Sequence, residues 1–216
     1  MDLDRLTFAC ATSAEERVAR RLGLSAVRVG VRAANGVPEG RVVSFGLAGA
    51  LHDGLAVGDV VDATRVVDAS GAVLWEGSGL GVRGARAATV LGSDVLVHDV
   101  DERARLRRAS GAGAVDMESG VLARGGRLVG VLRAISDDAS SAIEGVEGTV
   151  HPDGRTDLVG LLHWIVSRRG DAVRSMRDAV RGLRALEQTV ADDRGTLDGA
   201  RPGAKVAAVP TPERKP

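Results

Sequence analysis

Two short stretches set charged side chains against apolar runs in a way that invites chemistry. The first is Ala114-Val115-Asp116-Met117-Glu118-Ser119, and the second is Leu132-Arg133-Ala134-Ile135-Ser136-Asp137-Asp138-Ala139. Arg133 lies inside the apolar run Leu128 to Ile135, which has the length and composition of a buried strand. A guanidinium in such a place is costly without a partner, so an acidic site must fold against it. The adjacent Asp137 and Asp138 are paired carboxylates. Like charge and burial both favour the protonated form. Each acid also has a plain structural reading: Asp137 and Asp138 as loop caps, Glu15 as an anion favouring a helix N-terminus.

These residues need elements to position them. Leu6 to Ala11 reads as a buried strand, followed by Ser13 as helix N-cap with Glu15 and Glu16 in the first turn. Ala26 to Val31 is a short strand, and Arg41 to Gly49 a central strand running into a glycine turn. Asp59 to Val67, Ala72 to Trp75 and Asp94 to His98 are further strand candidates. Asp101 to Ala109 and Met117 to Arg124 read as helices, Leu128 to Ile135 as a strand, and Ser136 to Ser141 as its loop. Helices near Leu158 to Ser167 and Ala172 to Leu186 close the domain. In the last, Val173, Met176, Val180, Leu183 and Leu186 keep the spacing of one apolar face.

Strands alternating with helices predict an α/β fold: a three-layer sandwich whose central sheet is mixed, largely parallel, twisted and flanked by helices. Residues 1–190 form the domain. Residues 191–216, with Pro202, Pro210, Pro212 and Pro216 among charges, read as a disordered tail. Ligands of such sheets gather at the carboxyl ends of strands. Ser13 to Glu16, Gly46 to Gly49, Gly113 to Glu118 and Arg133 to Asp138 are the segments placed there.

Composition narrows the partners. Acidic and basic side chains balance at 29 each, so no global field draws the chain to nucleic acid or an anionic membrane. Cys10 is the single cysteine, which excludes an intrachain disulfide and a Cys-rich metal site; its apolar setting reads as an inert thiol. The four histidines, His52, His98, His151 and His163, show no metal-ligand spacing, so neither metal nor cofactor is expected. No run is long and apolar enough for a membrane helix, and the start carries acids where a secretory signal carries bases, so a cytoplasmic protein is expected.

The paired motifs Val115-Asp116-Met117-Glu118 and Arg133-Ala134-Ile135-Ser136-Asp137 resemble the signature of the nucleoside phosphorylase superfamily, in its methylthioadenosine/S-adenosylhomocysteine nucleosidase-like part. Phe45-Gly46-Leu47-Ala48-Gly49 resembles its glycine turn, and Gly58-Asp59-Val60-Val61 the strand after it. Within the superfamily, Val-Asp-Met-Glu-Ser and the segment His151 to Leu158 look most like the hopanoid-associated phosphorylase branch, linked to removal of adenine from adenosylhopane.

The resemblance implies roles. Asp137 protonates the leaving purine, and Glu118 holds the ribose hydroxyls and steadies the cationic sugar. Met117 packs against the ribose, and Arg133 orients a carboxylate or the nucleophile. Ser136, Gly46 and Leu47 join the substrate site. Glu15, with Glu16 as a substitute, activates water. The substrate is then a small purine nucleoside, a lipid-linked one included. A homo-oligomer is implied too, because relatives form dimers or trimers in which a neighbour completes the pocket.

Two departures bear on the reaction. The segment Val29 to Gly40 lacks the glycine-rich phosphate loop of the phosphorylases, and Leu47 stands where their glycine turn carries a hydroxyl. Water is therefore the expected acceptor, with phosphorolysis and a catalytically weak nucleoside- or partner-binding protein as the other readings. A separate stretch, Gly79-Leu80-Gly81-Val82-Arg83-Gly84, fits the dinucleotide pattern G-x-G-x-x-G. Glu76-Gly77-Ser78 separates it from its strand, and Gly92 cuts short the helix that the pattern needs after it, so a plain glycine-rich loop is expected.

Overall fold

Thr12 rather than Ser13 caps the first helix of the computed structural model, which describes residues 5–97, 99–140 and 169–199. Strand β1 (Thr7–Cys10) leads into α1 (Ser13–Arg21) through a capping box. The Glu15 amide donates to Thr12 Oγ1 while the Thr12 amide donates back to the Glu15 carboxylate. β2 (Ala26–Arg28) is shorter than expected, because Val31–Ala33 turns as a 3-10 helix. Then come β3 (Val42–Ala50), β4 (Val60–Val67), β5 (Val73–Glu76) and β6 (Arg86–Gly92). α2 (Val100–Ser110), β7 (Ala114–Asp116), α3 (Ser119–Arg124), β8 (Leu128–Asp137) and α4 (Arg169–Gly199) complete the described chain.

The expected mixed, largely parallel sheet is present. Its strands run β2-β1-β3-β7-β6-β4-β5, and β8 pairs with both β3 and β4. The pairs β1–β2, β1–β3, β3–β8, β4–β6 and β6–β7 are parallel; β3–β7, β4–β5 and β4–β8 are antiparallel. Because β8 bridges the path, β3, β8, β4, β6 and β7 curl into a closed ring, and the middle of the sheet is barrel-like rather than flat.

Period-two alternation gives β3 two apolar faces. Val43 and Phe45 pack with Phe8, Val18, Leu132, Leu186 and Val190, between the sheet and helices α1 and α4. Val42, Ala48 and Ala50 join Val61, Val66, Val90, Leu122 and Ile135 in the second cluster, with α3. The two phenylalanines of the chain meet edge to face, their centroids 5.7 Å apart.

Strands β6 and β7 form where none was expected, and three further expectations change. No strand forms over residues 94–97: the Ser93 hydroxyl donates to Val95 O (2.6 Å) and accepts from the Val95 amide (3.2 Å), so a local turn replaces the ladder. The helix predicted from Met117 begins at Ser119, since Ser119 folds back on Asp116 through amide and hydroxyl. α4 continues past Leu186 to Gly199, where its Asp193 accepts from the Arg83 amide (3.2 Å). The helix expected at Leu158 to Ser167 lies outside the described residues, as do residues 200–216. No described helix is long and apolar enough to cross a membrane.

Candidate active site

Arg133 is fully buried, and its setting predicts an acid; the fold supplies two. Its Nε lies 2.7 Å from Asp116 Oδ2, and its terminal nitrogens reach Glu118 Oε2 (3.3 Å), Ser44 Oγ (2.6 Å) and Leu47 O (3.2 Å). β8 presents the guanidinium, while β7 and the turn before α3 bring the acids. Ser44 arrives from β3, and its hydroxyl lies 3.0 Å from that of Ser119.

Glu118 feels this company. Burial pushes its carboxyl up to about 7; Arg133 pulls it down, Asp116 and Glu15 push it up, and a bond from the Arg32 amide (3.1 Å) pulls it down. Burial also works against the Arg133 charge, but Asp116, Glu118 and Glu15 outweigh it and hold the guanidinium above its ordinary value. The amide that reaches Glu118 belongs to a residue in the left-handed region, Arg32 at φ 54°, a conformation that β-carbon sterics disfavour and the surroundings must impose. Burial pushes the Cys10 thiol up, in keeping with an inert side chain.

Glu15 turns inward from α1 to the same place. Its Oε1 accepts from the Leu47 amide (2.8 Å) and its Oε2 from the Thr12 amide (2.8 Å) and hydroxyl (3.0 Å). A carboxylate offers about four acceptor positions, so capacity remains for one more donor. Glu16 points the other way, to Arg20 (2.8 Å) and Arg28 (3.8 Å) at the surface. Of the two acids after β1, Glu15 faces the Arg133 cluster.

The glycines of Phe45 to Gly49 are not a turn. β3 runs straight through them, and they allow close approach. A β-carbon at Gly46 would overlap the Glu15 carboxylate and stand 2.9 Å from an Arg133 nitrogen; one at Gly49 would lie 2.6 Å from Asp137 Oδ2. Leu47 contributes its backbone, the amide to Glu15 and the carbonyl to Arg133, while its side chain packs toward Gly182 of α4. Met117 is half-buried between the two motif acids.

Asp137 sits farther along β8, opposite Gly49, whereas Arg133 sits opposite Gly46. The strand spacing makes this a separation of roughly 10–13 Å. Asp138, the expected neighbour, instead accepts from the Ser140 amide and hydroxyl. The group that meets Asp137 is Arg103 of α2, 1 % exposed, with a nitrogen 2.5 Å from Oδ2. Ser136 donates its hydroxyl to Oδ1 (2.7 Å). Arg103 was invisible in the sequence, one arginine among several in Asp101 to Ala109. Asp116 lay within the motif without a role, and Ser44 was masked by its apolar neighbours.

The G-x-G-x-x-G stretch has an internal occupant. Asp62 of β4 accepts from the amides of Leu80 (2.8 Å), Gly81 (2.7 Å) and Val82 (3.2 Å), so the donors that would cradle a phosphate are already bound. Among the described residues, no group of three or more His, Cys, Asp or Glu side chains could hold a metal ion.

No family model and no curated protein matches this chain. Solved structures do. The 5′-methylthioadenosine/S-adenosylhomocysteine nucleosidase from Helicobacter pylori, bound to butyl-thio-DADMe-Immucillin-A, is 15 % identical with a TM-score of 0.55, covering 89 % of this chain and 100 % of its own. The futalosine hydrolase of the same organism is 14 % identical at a TM-score of 0.54, over 88 % and 98 %. The corresponding methylthioadenosine/S-adenosyl homocysteine nucleosidase of Campylobacter jejuni is 14 % identical at 0.53, over 87 % and 99 %. The chain has the nucleoside phosphorylase-like fold.

Proposed function

We propose that this protein is a nucleosidase that hydrolyses the N-ribosidic bond of a 5′-substituted adenine nucleoside and releases adenine. One observation carries the reading: Arg133, which binds Glu118 and feels Glu15, stands on the same strand as Asp137, a turn-free stretch that would bring a ribose-holding acid and a purine-protonating acid to one strand end. The solved structures that share the fold include nucleosidases with such substrates in their names.

Each residue then has a task. Glu118 holds the ribose hydroxyls and offsets the positive charge that develops on the sugar. Met117 packs on the ribose. Asp137 gives its proton to the purine as the C1′–N9 bond breaks and the electron pair leaves with the base. Glu15 takes a proton from water as the oxygen bonds to C1′, with Arg133 fixing the acids around it. Water is favoured over phosphate because both backbone groups of Leu47 are engaged by Glu15 and Arg133, and its side chain is turned to α4. Adenosylhopane stands among the substrates on the strength of the sequence resemblance, with a homo-oligomer as the working form.

The test is incubation with methylthioadenosine, adenosylhomocysteine and an adenosylhopane analogue, with and without phosphate. Adenine release in both conditions is the expected result. Release only with phosphate replaces hydrolysis by phosphorolysis, and saturable binding without release replaces catalysis by a binding role. Asp137→Asn should abolish release in a protein that retains its circular dichroism.

A further inference from the structure

The contact that no sequence feature announces is the one between Arg103 and Asp137. Arg103 is anchored as few arginines are. It is buried on α2, a helix capped by Asp99, whose side chain accepts from the Glu102 amide (2.8 Å). One terminal nitrogen donates to Ala50 O (3.1 Å) at the end of β3 and to Asp138 O (2.9 Å) just beyond β8, and the other is 2.5 Å from Asp137 Oδ2. The planar fork cannot turn without giving up these bonds, so its position is set by two strand ends and a helix.

The two oxygens of Asp137 are therefore unequal. Oδ2 is charge-paired with Arg103 and makes no directed hydrogen bond among the described residues. Oδ1 faces only the Ser136 hydroxyl among the contacts seen, and Ser136 Oγ also lies 3.3 Å from Ala48 O, an alternative acceptor for its hydrogen. When that hydroxyl turns to Ala48, Oδ1 is open to carry a proton. We propose that Arg103 is a positioning residue for the acid: by pinning Oδ2 it presents Oδ1 to the leaving base and meets the charge that Asp137 acquires on proton transfer. This rests on the nucleosidase reading. The proton moves from Oδ1 to the purine, the C1′–N9 pair goes to the base, and water adds to C1′ as its proton passes to Glu15.

A leaving group that needs no proton separates this role from a merely structural one. The full-length protein is assayed on methylthioadenosine and on a 4-nitrophenyl riboside, whose phenolate departs unprotonated. R103M should lower kcat on methylthioadenosine by about 100-fold, the scale of lost general-acid catalysis, and change the nitrophenyl rate by less than about 3-fold. D137N should show the same contrast, and the double variant should be no slower than D137N alone, because Arg103 acts through Asp137. R103K, which keeps a cation in place, should recover much of the methylthioadenosine rate. If R103M does not fold, R103K carries the test, with any loss confined to methylthioadenosine.

Equal losses on both substrates, or single-variant losses that multiply in the double variant, overturn the role of Arg103 and leave the nucleosidase intact. Wild-type protein that cleaves neither riboside removes the nucleosidase reading itself, and the role of Arg103 with it.

Discussion

The carboxylate of Glu15 lies against the backbone of Gly46, nearer than any β-carbon at that position would permit. A helix N-terminus and a central strand are thereby locked together, and the Leu47 amide bonds to the same carboxylate. An Arg133 nitrogen comes up to the same face of the glycine, 2.9 Å from where that β-carbon would stand.

Gly46→Ala is therefore expected to be costly beyond its size. The new methyl must displace two buried charged groups that hold each other in place, and overpacking of this kind costs about 1–3 kcal/mol. Urea unfolding should show the loss, and adenine release should fall with it because Glu15 is the group displaced. An unchanged unfolding midpoint would show that the carboxylate has room to move.

Glu118 makes stability depend on pH. Its carboxyl is pushed up to about 7, chiefly by burial, so the folded state holds that proton more tightly than the unfolded chain does. The contribution is complete below the ordinary glutamate value and is lost as pH rises through about 7. Glu118→Gln should flatten the decline between pH 5 and 8 by an amount on the order of 1–3 kcal/mol. Unfolding free energies at stepped pH, wild type against variant, measure it; parallel curves would remove Glu118 as the titrating group.

Asp62→Ala is expected to loosen the segment from Gly79 to Arg83. Three amides lose their acceptor, and a hydrogen bond to a charged group contributes about 1.5–3 kcal/mol net. Amide exchange should quicken at Leu80, Gly81 and Val82, with the loss of stability seen by denaturant. Added dinucleotide should leave wild-type protein unchanged, because Asp62 already fills the loop.

Leu47→Ser introduces the hydroxyl that phosphorylases carry at this position, yet it should not create phosphate dependence. The side chain at this position faces Gly182 of α4, away from the groups that meet Arg133. The variant should lose about 1–3 kcal/mol through poorer packing. A rate that rises with phosphate would place the hydroxyl in the site after all.

Most of the strands and helices were legible because each has a local cause: apolar period, capping chemistry, a run long enough to be buried; β6, with its charged and small residues, and the three-residue β7 offered no such signal. The acidic company of Arg133 was legible too, since a cation in an apolar strand leaves few other ways to fold. The failures share a cause as well. Gly46 and Gly49 read locally as a turn, and only the arrival of Glu15 and Asp137 against them shows that they are strand residues kept bare for close approach. Glu15 and Glu16 are equivalent in the sequence; the direction in which α1 packs on the sheet sends one inward and the other to Arg20.

Asp137 was expected to answer to its neighbour Asp138, whose carboxylate instead accepts from Ser140 in the loop after β8. The partner of Asp137 is Arg103, brought from a distant helix. Local chemistry along the chain determined which segments pair and bury, and which charges had to find partners. Which partner each charge found depended on how the sheet closes through β8, because contacts between residues remote in sequence are set by packing geometry that no short window of residues contains.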